Sequence, residues 1–453
     1  MSGSSQEREP DRMASAPVHP HEGLPMHARL WAGLYTVLLE AGQTAVAPLG
    51  LAYRLAGREL GNLNRRRGVL PASTLSRLNG RRAIWVHAAS AGETAAAFPL
   101  VCRLQDALPD HPVLFTVTSP YGLAMARRQM GERVAGIHYA PLDLPRYCRR
   151  LLRQVRPLLY LVVENDVWPN MVRMVKEQGG KVIVASGQAG PRTFPREFWR
   201  ATFRHVDRFL MQTDGDARNI VSRGALPSRV EVMGNLKMEG RVPPLAGGER
   251  RCMEEEFGFP AGASILVAGS VQKEDEVPVL EAVARLRQEG IDLRAVVAPR
   301  RLDRVAAIEQ RCVSLHLASV RRTAGGRAPV VILDSMGELA RVYGLARVAY
   351  VGGGFTRPGG LHNLAEPLAL GVPVLYGPFH GQVTRLAGEV LKEGAGLEIR
   401  KKAALAPALG RVLRREKLRG QMAAAAEALM APHRGASTRY LQAILALLED
   451  SSV

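Results

Sequence analysis

A glycine-rich stretch in the second half of the chain carries residue types suited to holding an anion beside a sugar. Its polar members are His362, Asn363 and Glu366, and its glycines occupy positions 352–354, 359 and 360. Glycines let backbone N–H groups approach a bound group, and the N-terminus of a following helix favours a phosphate. A carboxylate such as Glu366 can accept hydrogen bonds from sugar hydroxyls. The alternative is that these glycines only allow the chain to turn from a strand into a helix. The clustering of polar residues beside them favours a binding site over this alternative.

Two acids of the first half of the chain follow apolar runs and are candidates for catalysis. Glu93 ends the run Ala88-Ala-Ser-Ala-Gly-Glu93, in which Ser90 is expected to cap a helix. Glu164 opens Glu164-Asn-Asp-Val-Trp-Pro-Asn170, directly after an apolar strand. Both acids are therefore expected at the edge where α/β sheets bind ligands. A capping carboxylate explains an acid at position 93 but not the small residues that keep the site open.

The elements that position these residues alternate between apolar strands and helices, which predicts two domains with mostly parallel sheets. About six strands are expected in the first sheet, at 83–87, 113–117, 136–139, 158–163, 181–185 and 208–212. Second-domain strands are expected at 264–270, 293–298, 330–333, 348–351 and 372–376, with a helix opening near His362. Residues 230–237 are interpreted as the exit from the first domain, and Met238 to Gly248 as the linker.

The division of residue types between the two domains fits the transfer of a sugar from a nucleotide. A carboxylate of the first domain would deprotonate an acceptor hydroxyl, while positive groups of the second would stabilise the departing phosphate. Arginines of Pro299-Arg-Arg-Leu-Asp-Arg304 would form a phosphate clamp, with a solvated basic loop as the alternative. The sequence has no Walker A motif, no GxSxG elbow and no HExxH pair, which counts against three other enzyme classes.

Composition indicates a globular protein with an anionic partner. The 453 residues are 47% hydrophobic, and 61 Lys and Arg against 42 Asp and Glu give a net charge of +19. Nucleic acid, an acidic membrane surface or a phosphorylated substrate would each suit this charge. Only the charge favours nucleic acid, because no RNA- or DNA-binding motif is present. The four scattered cysteines predict neither a zinc site nor a disulfide framework.

The N-terminal region predicts a disordered leader followed by a membrane-associating helix. Residues 1–27 are polar and aperiodic, whereas Leu30 to Leu55 is mostly apolar and about long enough to cross a bilayer. Glu40, Gln43 and Pro48 interrupt the apolar run, so a helix that spans the membrane and one that lies in its interface both remain open. Arginines from Arg58 onward would suit anionic headgroups on the cytoplasmic side.

Eight motifs in order resemble the 3-deoxy-D-manno-octulosonic acid (Kdo) transferases of lipid A assembly. They are WVHAASAGE (85–93), PLDLP (141–145), VENDVWPN (163–170), GNLK (234–237), AGS with EDE (268–276), APRRLDR (298–304), DSMGELARVY (334–343) and VGGGF with GGLHNLAEP (351–367). The resemblance implies a GT-B glycosyltransferase fold, α/β in class, with two Rossmann-like domains facing a cleft. The implied divisions are a leader (1–27), a membrane-associating helix with its basic run (28–66), an acceptor domain (67–240) and a CMP-sugar domain with closing helices (241–453).

The resemblance also implies a reaction and roles for single residues. Kdo would pass from CMP-Kdo to the 6-hydroxyl of a lipid A precursor (lipid IVA) with inversion, at the cytoplasmic face of the inner membrane, and without a metal cofactor. Glu93 corresponds to the general base and Glu164 to a further essential acid. The positions implied to hold CMP or its phosphate are Lys237, Ser270, Pro299, Arg300, Gly337, Asn363 and Glu366.

Three motifs depart from the common family pattern and leave alternatives open. Glu164-Asn-Asp166 stands where ETE is common, Pro299-Arg-Arg301 where PRH is common, and Ser186 to Gly190 where NARLS is common. No donor-side histidine role is therefore carried to residue 301. The change at Ser186 to Gly190 supports a related GT-B enzyme that uses another nucleotide sugar. A catalytically inactive, membrane-docked relative is the remaining alternative, and the retained Glu93, Glu164 and Glu366 speak against it.

Overall fold

The computed structural model describes residues 30–31, 33–42, 65–188, 194–239, 245–357 and 360–450. The expected leader, residues 43–64 of the apolar and basic segment, and part of the expected linker lie outside these residues. A helix, α1, covers residues 30–31 and 33–42. Within the described residues, no helix is both long and apolar enough to cross a membrane.

Seven strands among the described residues form the first sheet, and every pairing between them is parallel. The order is β3-β2-β1-β4-β5-β6-β7. The strands are β1 (Ile84–His87), β2 (Val113–Val117), β3 (Gly136–Tyr139), β4 (Leu159–Val163), β5 (Lys181–Gly187), β6 (Arg208–Met211) and β7 (Val230–Val232). The prediction of about six strands missed β7, because this edge strand has three residues and is half exposed.

Helices cover both faces of this sheet, so its central strands are buried on both sides and read as continuous apolar runs. The helices are α2 (Ala72–Leu78), α3 (Ala91–Ala107), α4 (Pro120–Met130), α5 (Pro145–Val155), α6 (Pro169–Glu177), α7 (Arg196–Phe203) and α8 (Asp214–Ser222).

A second parallel sheet of seven described strands has the order β10-β11-β9-β8-β12-β13-β14. Its strands are β8 (Ser264–Val271), β9 (Leu293–Pro299), β10 (Ser319–Arg321), β11 (Val330–Ile332), β12 (Val348–Val351), β13 (Val374–Tyr376) and β14 (Gly396–Glu398). The helices of this half are α9 (Gly247–Glu256), α10 (Lys273–Gln288), α11 (Val305–Ser314), α12 (Leu339–Val342), α13 (Ala365–Ala369), α14 (Thr384–Glu393), α15 (Leu405–Arg414), α16 (Glu416–Met430) and α17 (Ala436–Glu449).

In each sheet the strand order changes direction at one point: strands that come earlier in the chain extend the sheet on one side of it, and later strands extend the other side. In the first sheet this point lies between β1 and β4, and in the second between β8 and β12. The loops that follow such neighbouring strands diverge and open a crevice at the carboxyl ends, where doubly wound α/β folds bind their ligands. Glu93 and Glu164 follow β1 and β4, while Ser270 and the glycine-rich stretch lie at the ends of β8 and β12.

Contacts made by α17 and α14 join the halves of the molecule. The last helix, α17, packs on the first sheet, where the buried Tyr440 hydroxyl donates to the carbonyl oxygen of Gly234 at 2.8 Å and accepts from the N–H of Ser186 at 3.1 Å. Arg385 of α14 pairs with Asp216 of α8 at 3.1 Å. The C-terminal helix is therefore part of the core that supports the first-domain site.

Candidate active site

Glu93 lies in the first turn of α3 and takes part in a reciprocal cap. The hydroxyl of Ser90 accepts from the Glu93 N–H at 3.2 Å, and the Glu93 carboxylate accepts from the N–H of Ala89 at 2.6 Å and the hydroxyl of Ser90 at 3.1 Å. The prediction of Ser90 as the helix cap is confirmed. These bonds fix the carboxylate at the sheet edge while leaving the side chain half exposed.

Glu164 and Lys237 form an ion pair next to Glu93. The Lys237 ammonium contacts Glu164 Oε1, and a Cβ added at Gly92 would lie 3.7 Å from Lys237 Cε. Burial raises the pKa of Glu164; the Lys237 charge opposes that rise, and the nearby Glu93 carboxylate adds to it. The structure therefore brings both predicted acids together, and it places Lys237 against them in the first domain.

A buried hydrogen-bond chain orients the loop that begins at Glu164. Thr116 Oγ1 accepts from Trp85 Nε1 at 2.8 Å, so its own proton can go to His87 Nδ1 at 3.0 Å. His87 Nε2 then carries the proton that is shared with Asp166 at 2.9 Å. Burial alone would raise the pKa of Asp166, but its hydrogen bonds, first of all the one with His87, hold the pKa below its usual value. The loop therefore carries an ionised Asp166 two residues after Glu164.

The far end of the same loop is held by a residue to which the sequence analysis gave no role. Asp143 is almost fully buried and accepts from the N–H groups of Asn170 and Met171 at 2.9 and 2.8 Å, where α6 begins. The Tyr35 hydroxyl of α1 also donates to it at 3.1 Å. Burial raises the pKa of Asp143 to about 7. These three donors lie 27 to 108 residues away along the chain, so no local pattern could have revealed that Asp143 joins them.

Three residues at strand ends near these crevices adopt a left-handed backbone that non-glycine residues rarely adopt. Glu164, Ser186 and Ser270 have φ of 66°, 52° and 54°. The pairing register shifts at Ser186 in β5 and next to Ser270 in β8. Such strained positions gather at binding and catalytic sites, where the surrounding structure holds them in place.

The first glycines of the glycine-rich stretch serve backbone packing. The N–H of Gly352 donates to the Gly269 carbonyl at 2.9 Å, and that of Gly353 to Asp275 Oδ2 at 2.7 Å. A Cβ at Gly352 would lie 2.4 Å from the Ser270 oxygen, and one at Gly353 only 2.0 Å from the Gly360 oxygen. For these two glycines the expectation of N–H groups free for an anion is wrong. Position 359 lies outside the described residues.

Asp275 ties the two loops of the second crevice together, a role that the acidic run 274–276 did not reveal. Its buried carboxylate accepts from the N–H of Gln272 at 2.9 Å, the hydroxyl of Tyr350 at 2.7 Å and the N–H of Gly353. These donors belong to the start of α10, to β12 and to the loop after β12. Burial raises the pKa of Asp275, and the three hydrogen bonds oppose that rise.

Of the arginines expected to hold a phosphate, the structure supports Arg300. Arg304 pairs through two bonds with Glu276 at 2.8 and 2.7 Å, and Arg301 pairs with Asp303. Arg300 has an exposed side chain directly after Pro299, the last residue of β9, and its backbone N–H donates to the Val271 carbonyl at 2.8 Å. Of the three arginines, Arg300 is therefore the one that the structure leaves available for an anionic ligand.

The remaining donor-side residues lie at the same edge of the second sheet. Ser270 is half exposed at the end of β8, and Gly337 has φ of 99° with open space in front of it. Asn363 Oδ1 accepts from the N–H of Ala365 at 3.0 Å, and its amide donates to Glu366 Oε1 at 3.3 Å. The bond to Ala365 is a local side-chain turn just before α13, which begins three residues later than the sequence pattern predicted.

His362 is expected to be neutral at physiological pH. Burial, with a smaller effect of Arg300, lowers its pKa from 6.5 to about 4. Protonation therefore opposes folding: stability is full above the unfolded pKa and falls as pH drops toward 4, by at most about 1.4 kcal/mol per pH unit. An NMR titration of the ring, assigned with His362→Gln, should show no protonation of His362 above pH 6. A midpoint at the unperturbed value would contradict this prediction.

Within the described part of the chain, no three His, Cys, Asp or Glu side chains are grouped so that they could hold a metal ion. Positively charged side chains lie at both crevices. Lys237 lies at the first crevice, and Arg300 lies at the second.

Comparison with known proteins identifies the family. Residues 61–240 match the family model for 3-deoxy-D-manno-octulosonic-acid transferase (kdotransferase). A 3-deoxy-D-manno-octulosonic acid transferase from Bordetella pertussis is 31% identical over 80% of this chain and 86% of its own length. The corresponding transferase from Chlamydophila psittaci is 30% identical over 69% and 73%. The chain spans about half (51%) of a bifunctional glycosyltransferase/methyltransferase from Fusobacterium nucleatum, at 27% identity.

A solved structure shows the same arrangement of two domains. The UDP-GlcNAc 2-epimerase from Neisseria meningitidis covers 81% of this chain and 100% of its own, at 14% identity and a TM-score of 0.52. At that identity the likeness concerns the fold alone, and it confirms the expected GT-B arrangement of two parallel-sheet domains. Taken with the matches in sequence, it shows that the chain belongs to the 3-deoxy-D-manno-octulosonic acid transferase family of glycosyltransferases.

Proposed function

We propose that this glycosyltransferase moves Kdo from CMP-Kdo to the 6-hydroxyl of a lipid A precursor, lipid IVA, with inversion and without a metal ion. The observation that carries the proposal is the meeting of Glu93, Glu164 and Lys237 at the crevice between β1 and β4. The family membership supplies the donor sugar. The acceptor, the stereochemistry and the residue roles are our inference.

In the proposed reaction Glu93 takes the proton from the acceptor hydroxyl. The hydroxyl oxygen then forms a bond with the anomeric carbon of Kdo as the bond to the CMP phosphate breaks, and CMP leaves with the electron pair. The cap from Ala89 and Ser90 holds the Glu93 carboxylate in place, so little reorganisation is needed when the proton moves. Lys237 pairs with Glu164 and opposes the rise of its pKa that burial and Glu93 cause.

The second domain is proposed to hold the donor. Arg300 lies next to His362 at the end of β9, and a guanidinium there would neutralise the phosphate charge that grows as CMP leaves. Ser270, Gly337, Asn363 and Glu366 lie around the same edge and would contact the nucleotide or the sugar. Pro299 would set the direction of Arg300.

We place the enzyme on the cytoplasmic face of the inner membrane because α1 has two distinct faces. Tyr35 and Thr36 bond to Asp143 and Asn170 on the protein side. Leu30, Leu34, Val37 and Leu38 are 45–64% exposed and follow the i, i+4, i+7, i+8 spacing of a single helix face. A helix that docks through hydroxyls and turns an apolar stripe outward suits the membrane interface, and the net charge of +19 suits an anionic leaflet.

Mass spectrometry of the lipid product tests this function. Purified protein with CMP-Kdo and lipid IVA in mixed micelles should yield lipid IVA enlarged by Kdo, and parallel reactions with UDP-sugars should yield none. Transfer from a UDP-sugar would favour a GT-B enzyme with another donor. CMP binding without any transfer would favour the inactive relative.

A further inference from the structure

The first domain contains a cavity that the proposed chemistry does not explain. Its volume is about 170 Å³, and Glu164 forms part of its wall. Most of the wall is apolar and comes from the loop after β4, from β5 and β6, and from helices α7 and α8; it includes Val167, Trp199, Phe203, Met211 and Ile220. The cavity is partly open to solvent, so its apolar side chains are left without protein packing partners on that side.

A continuous run of aromatic rings leads from α1 to this cavity. The rings of Tyr35 and Phe198 lie 5.5 Å apart, those of Phe198 and Trp199 5.2 Å apart, and those of Trp199 and Phe203 5.3 Å apart. Phe194 packs against Tyr35, Phe198 and Trp199 and is itself 43% exposed. A run of packed rings therefore connects Tyr35, on the protein-facing side of α1, with the cavity wall beside Glu164.

The chemistry of the wall selects the class of group that can enter. A sugar ring or phosphate would lose its hydrogen bonds to water against Val167, Phe203, Met211 and Ile220, and this would cost free energy. A hydrocarbon chain would gain by leaving water and would fill the void. The polar part of the wall comes from Glu164, Asn165, Gln188 and Arg223. Of these, Glu164 also belongs to the proposed catalytic site.

We propose that this cavity receives the end of one fatty-acyl chain of the acceptor and so acts as an acyl-chain subsite. The inference rests on the proposed function, in which the acceptor is an acylated glucosamine disaccharide. Seating a chain beside Glu164 would bring the hydroxyl of the same molecule to Glu93. The small volume of the cavity would also limit the chain length that the enzyme accepts.

A substitution that fills the cavity tests the subsite. Ile220→Phe places a larger side chain at the wall, and Val221→Phe introduces the same ring one residue further along α8, at a position outside the wall. For the acylated acceptor, Ile220→Phe should raise KM at least about tenfold relative to Val221→Phe. Because the phenylalanine ring occupies existing space, the melting temperature of the Ile220→Phe variant should stay at or above that of the wild-type protein. Hydrolysis of CMP-Kdo and transfer to the deacylated disaccharide should be unchanged in both variants.

A second variant keeps the test decisive if Ile220→Phe does not fold. Trp199→Leu enlarges the cavity, so the ratio of kcat/KM for a longer-chain acceptor to that for a shorter-chain acceptor should rise at least about threefold. Equal KM values for Ile220→Phe and Val221→Phe, or an unchanged chain-length ratio in Trp199→Leu, would overturn the subsite. Absence of transfer by the wild-type protein to any acylated acceptor would instead overturn the proposed function, so the two failures are distinguishable.

Discussion

Glu93→Gln is expected to reduce kcat for Kdo transfer by about 10³-fold, the usual contribution of a positioned general base. Glutamine is the other residue that completes a reciprocal helix cap, and its side-chain oxygen can still accept from the N–H of Ala89 while its amide NH2 lies beside the Ser90 hydroxyl. The fold and the start of α3 should therefore be preserved while the basic oxygen is lost. The measurement is kcat from single-turnover kinetics with CMP-Kdo and lipid IVA, together with CMP affinity by calorimetry.

The glutamine variant separates the two roles that an acid at position 93 can have. If Glu93 only caps α3, the variant will turn over at close to the wild-type rate. Glu93→Ala removes both the cap and the base, and a lost cap typically costs about 1 kcal/mol of stability. Loss of transfer in Glu93→Ala with full transfer in Glu93→Gln would reject the assigned base.

Lys237→Met is expected to lower kcat/KM by about 10²-fold, the scale of one lost electrostatic contact in an active site. Without the ammonium, Glu164 keeps the burial that raises its pKa and the repulsion from Glu93, but loses the charge that opposes them. Its pKa should therefore rise further, and the acidic limb of the kcat/KM profile should move to higher pH. The measurement is kcat/KM across the pH range in which the protein stays folded.

One control for this prediction keeps the positive charge at position 237, and a second control removes a positive charge elsewhere. Lys237→Arg preserves the charge and should recover much of the activity, while Lys401→Met removes an exposed charge from the second domain and should have no effect. The double variant Lys237→Met with Glu164→Gln removes both charges, so it should regain stability but not activity. An acidic limb that stays in place in Lys237→Met would show that Glu164 is not the group that titrates.

The central strands could be predicted within one or two residues because both of their faces are buried. Val113–Val117 and Val348–Val351 have the predicted bounds. The edge strand Gly136–Tyr139 also has its predicted bounds, although it is only partly buried. The strands that escaped prediction, β7, β10 and β14, each have three residues and are partly exposed, so their sequences carry no continuous apolar run.

The site was predictable only to the extent that its residues follow strands. Glu93 and Glu164 could be placed because parallel strands end at one edge of the sheet. The roles of Asp143 and Asp275 depend on donors that are distant in sequence, such as Tyr35 and Tyr350. Ser186, which stands where the family often has asparagine, is a buried junction that bonds to Gln212, Leu236 and Tyr440. No pattern within its own segment points to these partners.

The pairing of Lys237 with Glu164 could be seen only in the structure and not from the family motifs that assigned a role to Lys237. By motif position Lys237 was assigned to the donor, yet its ammonium contacts the acid of the first domain and lies over Gly92. The small side chain at position 92 matters because it leaves room for this lysine beside Glu93. Spacing along the chain could not show this, since Gly92 and Lys237 lie far apart in sequence.

A crystal structure of the protein with CMP and a lipid IVA analogue would test the central claim most directly. We expect the CMP phosphate within hydrogen-bonding distance of Arg300 and the acceptor 6-hydroxyl within hydrogen-bonding distance of the Glu93 carboxylate, across one crevice. CMP bound away from the carboxyl ends of β8, β9 and β12, or a Glu93 carboxylate turned away from the acceptor, would contradict the account.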